Sequence, residues 1–252
     1  MAMLRVTESR VSGQISPLPN GPPGVELRAL VSGSTGSSSI STGTATIHPS
    51  GTLAAHFHGF SEVITVISGT VDVNVDGREY SLKPFDAIHL PAGTVHAVRN
   101  RHRTTVAVAL WAFASPEPTR TFAFEPPVSE HRIAPAPEDP ETLVRFAQAL
   151  DYEVAPGVLF RDLSNATQIR GGYCCVQPGA SLPCHAFSHD SAMTIVEGQA
   201  HCVVEERRYA LCNQDTVFLP HGKSHQFHND GDVPAVMLWV YSVSDTGLRS
   251  DV

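Results

Sequence analysis

From Thr44 onward the chain is a succession of short β-branched runs separated by turn residues, the pattern of an all-β sandwich or barrel. The runs are Glu62–Ile67, Val71–Val75, Arg78–Leu82, Ala87–Leu90, His96–Arg99 and Thr105–Phe113. Val71-Asp-Val-Asn-Val75 alternates apolar with polar residues, which predicts a strand with one buried face. Asp76-Gly77 then supplies the positive-φ pair of a two-residue hairpin. Upstream, Pro17, Pro19, Pro22 and Pro23 predict an extended lead-in over residues 1–30. The Ser/Gly-rich stretch Val31–Ser41 reads either as a flexible loop or as a weak strand.

Seven prolines between residues 115 and 140 mark a connector. Asp139-Pro140-Glu141 has the form of a helix start, and Leu143, Val144, Ala147 and Leu150 follow at helical spacing. The expectation there is a short linking helix of about 11 residues. Strand-like runs resume at Val158. The division expected is residues 1–125, a linker with its helix at 126–150, and residues 151–252.

The second half repeats the first at a single offset. Pro49, Leu53, His56, Gly69, Arg78, Tyr80, Asp86, Leu90, Pro91, Gly93, His96 and Asn100 each recur 129 residues later, from Pro178 to Asn229 (229 − 100 = 129). A repeat of this length means two copies of one domain; a solenoid would have a period of roughly 20–50 residues.

Two motifs stand in the first copy: His56-Phe-His58-x3-Glu62-x6-Gly69, and Pro91-Ala-Gly93-x2-His96-x3-Asn100. They resemble those of the cupin family, closely over residues 44–113 and more loosely over 173–242. Two departures spare the histidines and the glutamate: four residues separate Gly51 from His56 where the family has five, and Phe85 stands where the second motif opens with Gly. The resemblance implies an all-β chain of two tandem double-stranded β-helix (jelly-roll) barrels, a bicupin, with metal and substrate inside a barrel.

His56 and His58 are two apart, so on a strand both point to one face and Phe57 to the other. With Glu62 and His96 they form a three-imidazole, one-carboxylate set that leaves positions open on a five- or six-coordinate ion. That set suits one divalent transition metal, Fe, Mn, Ni, Co or Cu, with Zn also compatible. A Glu62 carboxylate buried among apolar strands without a cation would be heavily penalised. Glu62 is also the candidate catalytic base.

In the second copy His185 and His225 remain, but Phe187 and Ser191 replace the second His and the Glu. Cys184, His189, Asp190 and His228 lie near enough to substitute. Strand parity turns Cys184 away, whereas His189 or Asp190 reaches inward only if the turn is remodelled. The expectation is a structural half in which Phe187 fills the space of a lost ligand. The basic run Arg99, Arg101, His102 and Arg103 reads as a solvated strand end, with an arginine at the barrel mouth as the alternative, holding an anionic substrate. His48 and His89 read as structural histidines.

The net charge of −8, with only two lysines, argues against a nucleic-acid surface. No stretch approaches the ~20 apolar residues of a membrane span, and Met1–Glu8 lacks the apolar run of a signal peptide. Five cysteines, an odd number, read as reduced thiols, which with these absences predicts a cytoplasmic protein. The leading functional expectation is metal-dependent chemistry on a small-molecule substrate, with a dioxygenase first. Bicupin quercetinases, some with a complete site in only one half, are the family precedent. Isomerase or decarboxylase chemistry on a Lewis-acid metal, and a non-catalytic ligand-binding or regulatory cupin, are the alternatives. The two halves are expected to pair with each other; a homo-oligomer remains open.

Overall fold

The structure is a computed structural model that describes residues 6–7 (backbone only), 24–123 and 140–243. Most of the lead-in and linker prolines, and Asp139, lie outside the described residues. Two β-barrels follow one another, each made of two facing antiparallel sheets. In the first barrel a six-stranded sheet runs Thr142–Val144, Ala87–Leu90, Glu62–Ser68, Ala107–Phe113, Ser41–Ile47 and Val25–Val31. It faces a five-stranded sheet of Thr121–Phe122, Thr52–Phe57, His96–Arg99, Val71–Val75 and Arg78–Leu82.

Local sequence explains the inner face. Val71, Val73 and Val75 are fully buried between the sheets while Asp72 and Asn74 lean outward. Asp76 and Gly77 turn the chain at φ 46° and 85°, putting Val75 opposite Arg78. The five strand runs from Glu62 to Arg99 fall where they are expected, and the run placed at Thr105–Phe113 begins at Ala107. Phe85 has φ +67°, and its counterpart Gln214 has φ +73°. The first of these positions is therefore a left-handed corner, which accounts for the glycine that usually opens the motif.

The larger sheet of each barrel is buried on both faces. Ile64, Val66 and Ile88 point into the first barrel, whereas Val63, Ala87, Leu110 and Ala112 pack against Ala192, Phe218, Val236, Leu238 and Val240 of the second. The barrels thus stand back to back, and Val63-Ile-Thr-Val-Ile67 lacks the alternation of a one-sided strand for that reason. Polar contacts seal the edges with the same two-fold logic. Asp190 accepts from the Ser38 backbone N–H at 2.7 Å and the Ser38 hydroxyl at 2.8 Å, while the Ser61 N–H meets Gln168 Oε1 at 3.4 Å. Asp190 is the counterpart of Ser61 at the 129-residue offset (190 − 61), and Gln168 is the counterpart of Ser39 (168 − 39), whose hydroxyl also donates to Asp190 at 3.5 Å.

The linking helix is not present, which corrects the expectation for residues 140–150. Thr142–Val144 is a strand, followed by a single 3₁₀ turn at Phe146–Gln148. Leu143 and Val144 pair with Ile88 and Ala87, so tertiary pairing overrides a local helical spacing too short to nucleate. Asp86 then anchors the turn, accepting from Arg145 Nη1 at 2.7 Å and the Phe146 N–H at 2.9 Å. In return, Val6–Thr7 joins the second barrel beside Val217 and Thr216. Residues 88 and 217 are again 129 apart, so each barrel takes a strand from the segment preceding the other. Val6–Thr7 pairs across the division expected at residue 150, and Thr142–Val144 comes from the expected linker. Val31–Ser41 forms a 3₁₀ turn at Gly33–Thr35 and then lays Ser37–Ser39 over Asp190. No helix among the described residues is long and apolar enough to cross a membrane.

Candidate metal centre

Thr52–Phe57 and His96–Arg99 are neighbouring antiparallel strands, with His56 directly opposite His96. His58 follows one residue after its strand, on the inward side. Gly59-Phe60-Ser61 then carries the chain to the opposite sheet, where Glu62 is the first residue of its strand. The Gly93 N–H donates to His58 O at 2.8 Å, tying the second motif's turn to the first motif. Gly93 has φ +82°, which only the absence of a Cβ accommodates without strain. His56, His58, Glu62 and His96 are 1, 4, 5 and 2% exposed.

Each histidine donates Nδ1–H to a backbone carbonyl: His56 to Ala54 at 2.8 Å, His58 to Thr119 at 2.6 Å and His96 to Thr94 at 2.9 Å. That bond fixes ring orientation and leaves Nε2 as the lone-pair atom. Nε2 of His58 and of His96 lie 3.2 and 3.0 Å from Glu62 Oε2. These three buried atoms have no hydrogen-bond partner, because in this tautomer acceptor faces acceptor. A proton or a cation is needed between them. Burial drives His56 down to about 2, with the adjacent His96 adding to the effect, so its ring is neutral. For Glu62 burial pushes the carboxyl up, but the contacts with His58 and then His96 outweigh it and hold the group well below its ordinary range. An ionised carboxylate and neutral imidazoles are the forms that bind metal. One donor atom from each of the four residues lies within 4.8 Å of the others, so the residues present fit a divalent ion.

The centre opens on a cavity of ≈ 30 Å³, room for about two waters. Its walls are apolar (Leu53, Ile64, Val98, Trp111 and Phe113 among them) apart from the histidines, Glu62 and Arg120. Arg120 was missing from the candidates because the surrounding prolines marked a connector. In the structure Thr121 and Phe122 pair with Phe57 and His56, laying a strap across the His-bearing strand. The signal present in the sequence was the alternation Arg120-Thr-Phe122 directly after Pro116 and Pro118. The arginines of the basic run lie elsewhere: Arg99 pairs with Glu79, and Arg101 with Asp72 at 3.1 Å. His48 pairs with Glu26 at 2.9 Å.

The cupin domain pattern matches residues 43–113 and again 172–241, more than half of the chain. The chain belongs to the cupin family. A 53-residue stretch is 38% identical to a 5-nitrosalicylic acid 1,2-dioxygenase from Bradyrhizobium sp, covering 21% of this bicupin and 26% of that enzyme. Among solved structures, AerE from Microcystis aeruginosa superposes with a TM-score of 0.69 at 14% identity, over 88% of this chain and 94% of AerE. Oxalate decarboxylase from Bacillus subtilis, in a study of its Mn(II) centres, gives 0.71 at 19% identity, over 91% and 75% of the two chains. These last two likenesses concern the fold.

The bicupin's second barrel keeps the scaffold and changes the chemistry. His185 is opposite His225, with ring centroids 4.3 Å apart, against 4.2 Å for His56 and His96. Their Nδ1 atoms donate to Pro183 and Lys223 carbonyls as in the first barrel. Phe187 lies 4.9 and 5.4 Å from those rings, where His58 lies 5.1 and 5.5 Å from its own pair. The phenyl ring therefore takes the place of the imidazole. His189 stacks on Tyr241, Asp190 belongs to the inter-barrel contact, Cys184 is exposed, and the His228 Nδ1 meets Ser181 Oγ at 2.7 Å. Among the described residues, the groups of three or more candidate ligands reduce to the first barrel's four.

Burial lowers His225 from 6.5 to about 4. Between those values the unfolded chain binds a proton that the folded barrel refuses, so stability falls as pH drops through this window. The contribution is about 3 kcal/mol at most. His225→Leu is expected to flatten the acid side of the stability profile, read as urea midpoints at pH 7 and pH 4. An unchanged difference between the two midpoints would contradict the assignment.

Proposed function

We propose that this bicupin is a metal-dependent enzyme of the dioxygenase type, acting on a small organic molecule at the first barrel. His56, His58, Glu62 and His96 hold one divalent transition metal. The observation carrying this reading is the convergence of three buried lone-pair atoms without hydrogen-bond partners, two Nε2 and Glu62 Oε2, beside a cavity that is largely apolar apart from His56, His58, Glu62 and Arg120. The bound ion supplies Lewis acidity and, for a redox-active metal, a place to activate dioxygen. The chain's own residues do the rest. Carbonyls of Ala54, Thr119 and Thr94 orient the three rings, and Leu53, Ile64, Val98 and Trp111 exclude bulk water. Glu62, when it leaves the ion, is positioned to take a proton from a substrate. The nitrosalicylate dioxygenase relative supports oxygen chemistry, as a local match to about a quarter of that enzyme. The second barrel serves as a structural partner.

The test is elemental analysis of protein expressed with Fe, Mn, Ni or Zn, followed by oxygen uptake on catechols, flavonols, β-diketones and hydroxybenzoates. About one metal per chain and substrate-dependent uptake are expected. Turnover without oxygen uptake would move the reading to Lewis-acid isomerase or decarboxylase chemistry. Tight binding without turnover would make it a binding protein.

A further inference from the structure

Several arginines elsewhere in the chain stand beside acidic partners: Arg78 with Glu141, Arg99 with Glu79, Arg101 with Asp72, Arg145 with Asp86 and Arg161 with Asp151. Arg120 is different. Its side chain lines the metal cavity beside Glu62, and its Nη1 is buried with no hydrogen-bond partner. The remaining lining is hydrocarbon, the two histidines and the Trp111 indole, whose Nε1 is also buried without a hydrogen-bond partner but carries no charge. Burial of this guanidinium lowers its affinity for the proton, an effect that Glu62 partly opposes; an arginine stays charged even so. Arg120 as a whole is only partly buried, but a guanidinium nitrogen buried without a hydrogen-bond partner is costly, and the fold nevertheless holds it in place. The Thr119 carbonyl accepts from His58 at 2.6 Å, and Thr121 and Phe122 are paired to Phe57 and His56. The backbone on both sides of Arg120 is therefore tied to the ligand-bearing segment, which fixes where its side chain enters the cavity.

Charge points the same way. Glu62 and Arg120 cancel, so a divalent ion on the four ligands leaves the cavity about two positive charges in excess. A small anion reduces that excess, and a carboxylate matches the planar donor fork of a guanidinium. We propose that Arg120 is the anion-recognising residue of the first barrel, and that the substrate class is a small organic acid whose carboxylate it holds beside the metal. This deepens the metal-centre reading and rests on it. It also moves anion recognition from the basic run after the second motif, which is on the surface, to the strap.

The experiment titrates acetate and acetamide, alike in size and unlike in charge, into Mn(II)-loaded protein by calorimetry. Metal content is measured on the same samples. The wild type is expected to prefer acetate by roughly tenfold or more, the scale of a charge-assisted hydrogen bond. Arg120→Met is expected to lose the preference while keeping its metal, and Arg120→Lys to keep part of it. If Arg120 only balances the charge of Glu62, Arg120→Met will change metal content or melting temperature and leave the acetate preference intact, which overturns the proposal. A wild type without the preference overturns it too. Should the wild type take up no metal, the metal reading fails by itself. The same titration on that protein then decides: an acetate preference lost in Arg120→Met supports the arginine, and no preference removes it.

Discussion

Replacing His58 with Phe and Glu62 with Ser is expected to abolish metal uptake while the fold survives. The second barrel already carries these two residues as Phe187 and Ser191, on a scaffold whose His–His spacing differs by 0.1 Å (4.3 against 4.2 Å). Phe187 occupies the place of the imidazole to within about the same tolerance, so the phenyl ring should fit without overpacking. Removing Glu62 also removes a buried charge whose burial is costly without a cation. Two of four ligands are lost, and metal content should fall from about one ion per chain to less than about a tenth of that. Elemental analysis together with a thermal melt of the metal-free protein reads both halves. A double variant that keeps its metal would place the ligands elsewhere; one that fails to fold would show that the two barrels are not interchangeable at these positions. As a control, His185→Ala should leave metal content unchanged.

Gly43→Ala is expected to be the most destabilising single methyl addition in the first barrel. Gly43 is opposite Trp111 across the strand pair. A Cβ there would stand 2.0 Å from the Arg28 carbonyl oxygen and 2.3 Å from Trp111 Cζ2. The first obstacle is backbone and the second is an indole buried at 7% exposure, so neither yields without moving the sheet. The second copy builds the same packing: a Cβ added at Gly172 would stand 2.4 Å from the Arg161 carbonyl oxygen and 2.4 Å from Trp239 Cζ2. A loss of about 3 kcal/mol or more follows for overpacking of this severity, measurable as a shift in the denaturant midpoint. Trp111 lines the metal cavity, so anion binding should weaken along with stability. A midpoint within about 1 kcal/mol of wild type would mean that the Arg28 strand moves aside freely.

Much of the site was legible because its determinants are local. His56 and His58 share a face by strand alternation, and Glu62 begins the next strand four residues on. His96 opens the strand after a turn whose glycine, Gly93, has φ +82°. The 129-residue offset added an internal comparison, and the scaffold residues that persisted in it mark the same corners in both barrels. The linking helix failed for the opposite reason. Leu143 and Val144 have helical spacing, but edge pairing with Ala87–Leu90 was available to them, and a partner distant in sequence leaves no local period to read.

The sequence by itself determined the repeated all-β architecture and the four converging donors, since both follow from periodicity two and from motif spacing. Tertiary structure alone decided three matters: the back-to-back burial of the two large sheets, the exchange of one strand between barrels, and the entry of Arg120 into the cavity. Each depends on which strand lies beside which. That choice is made by packing between segments far apart in the chain, where neither alternation nor spacing carries information.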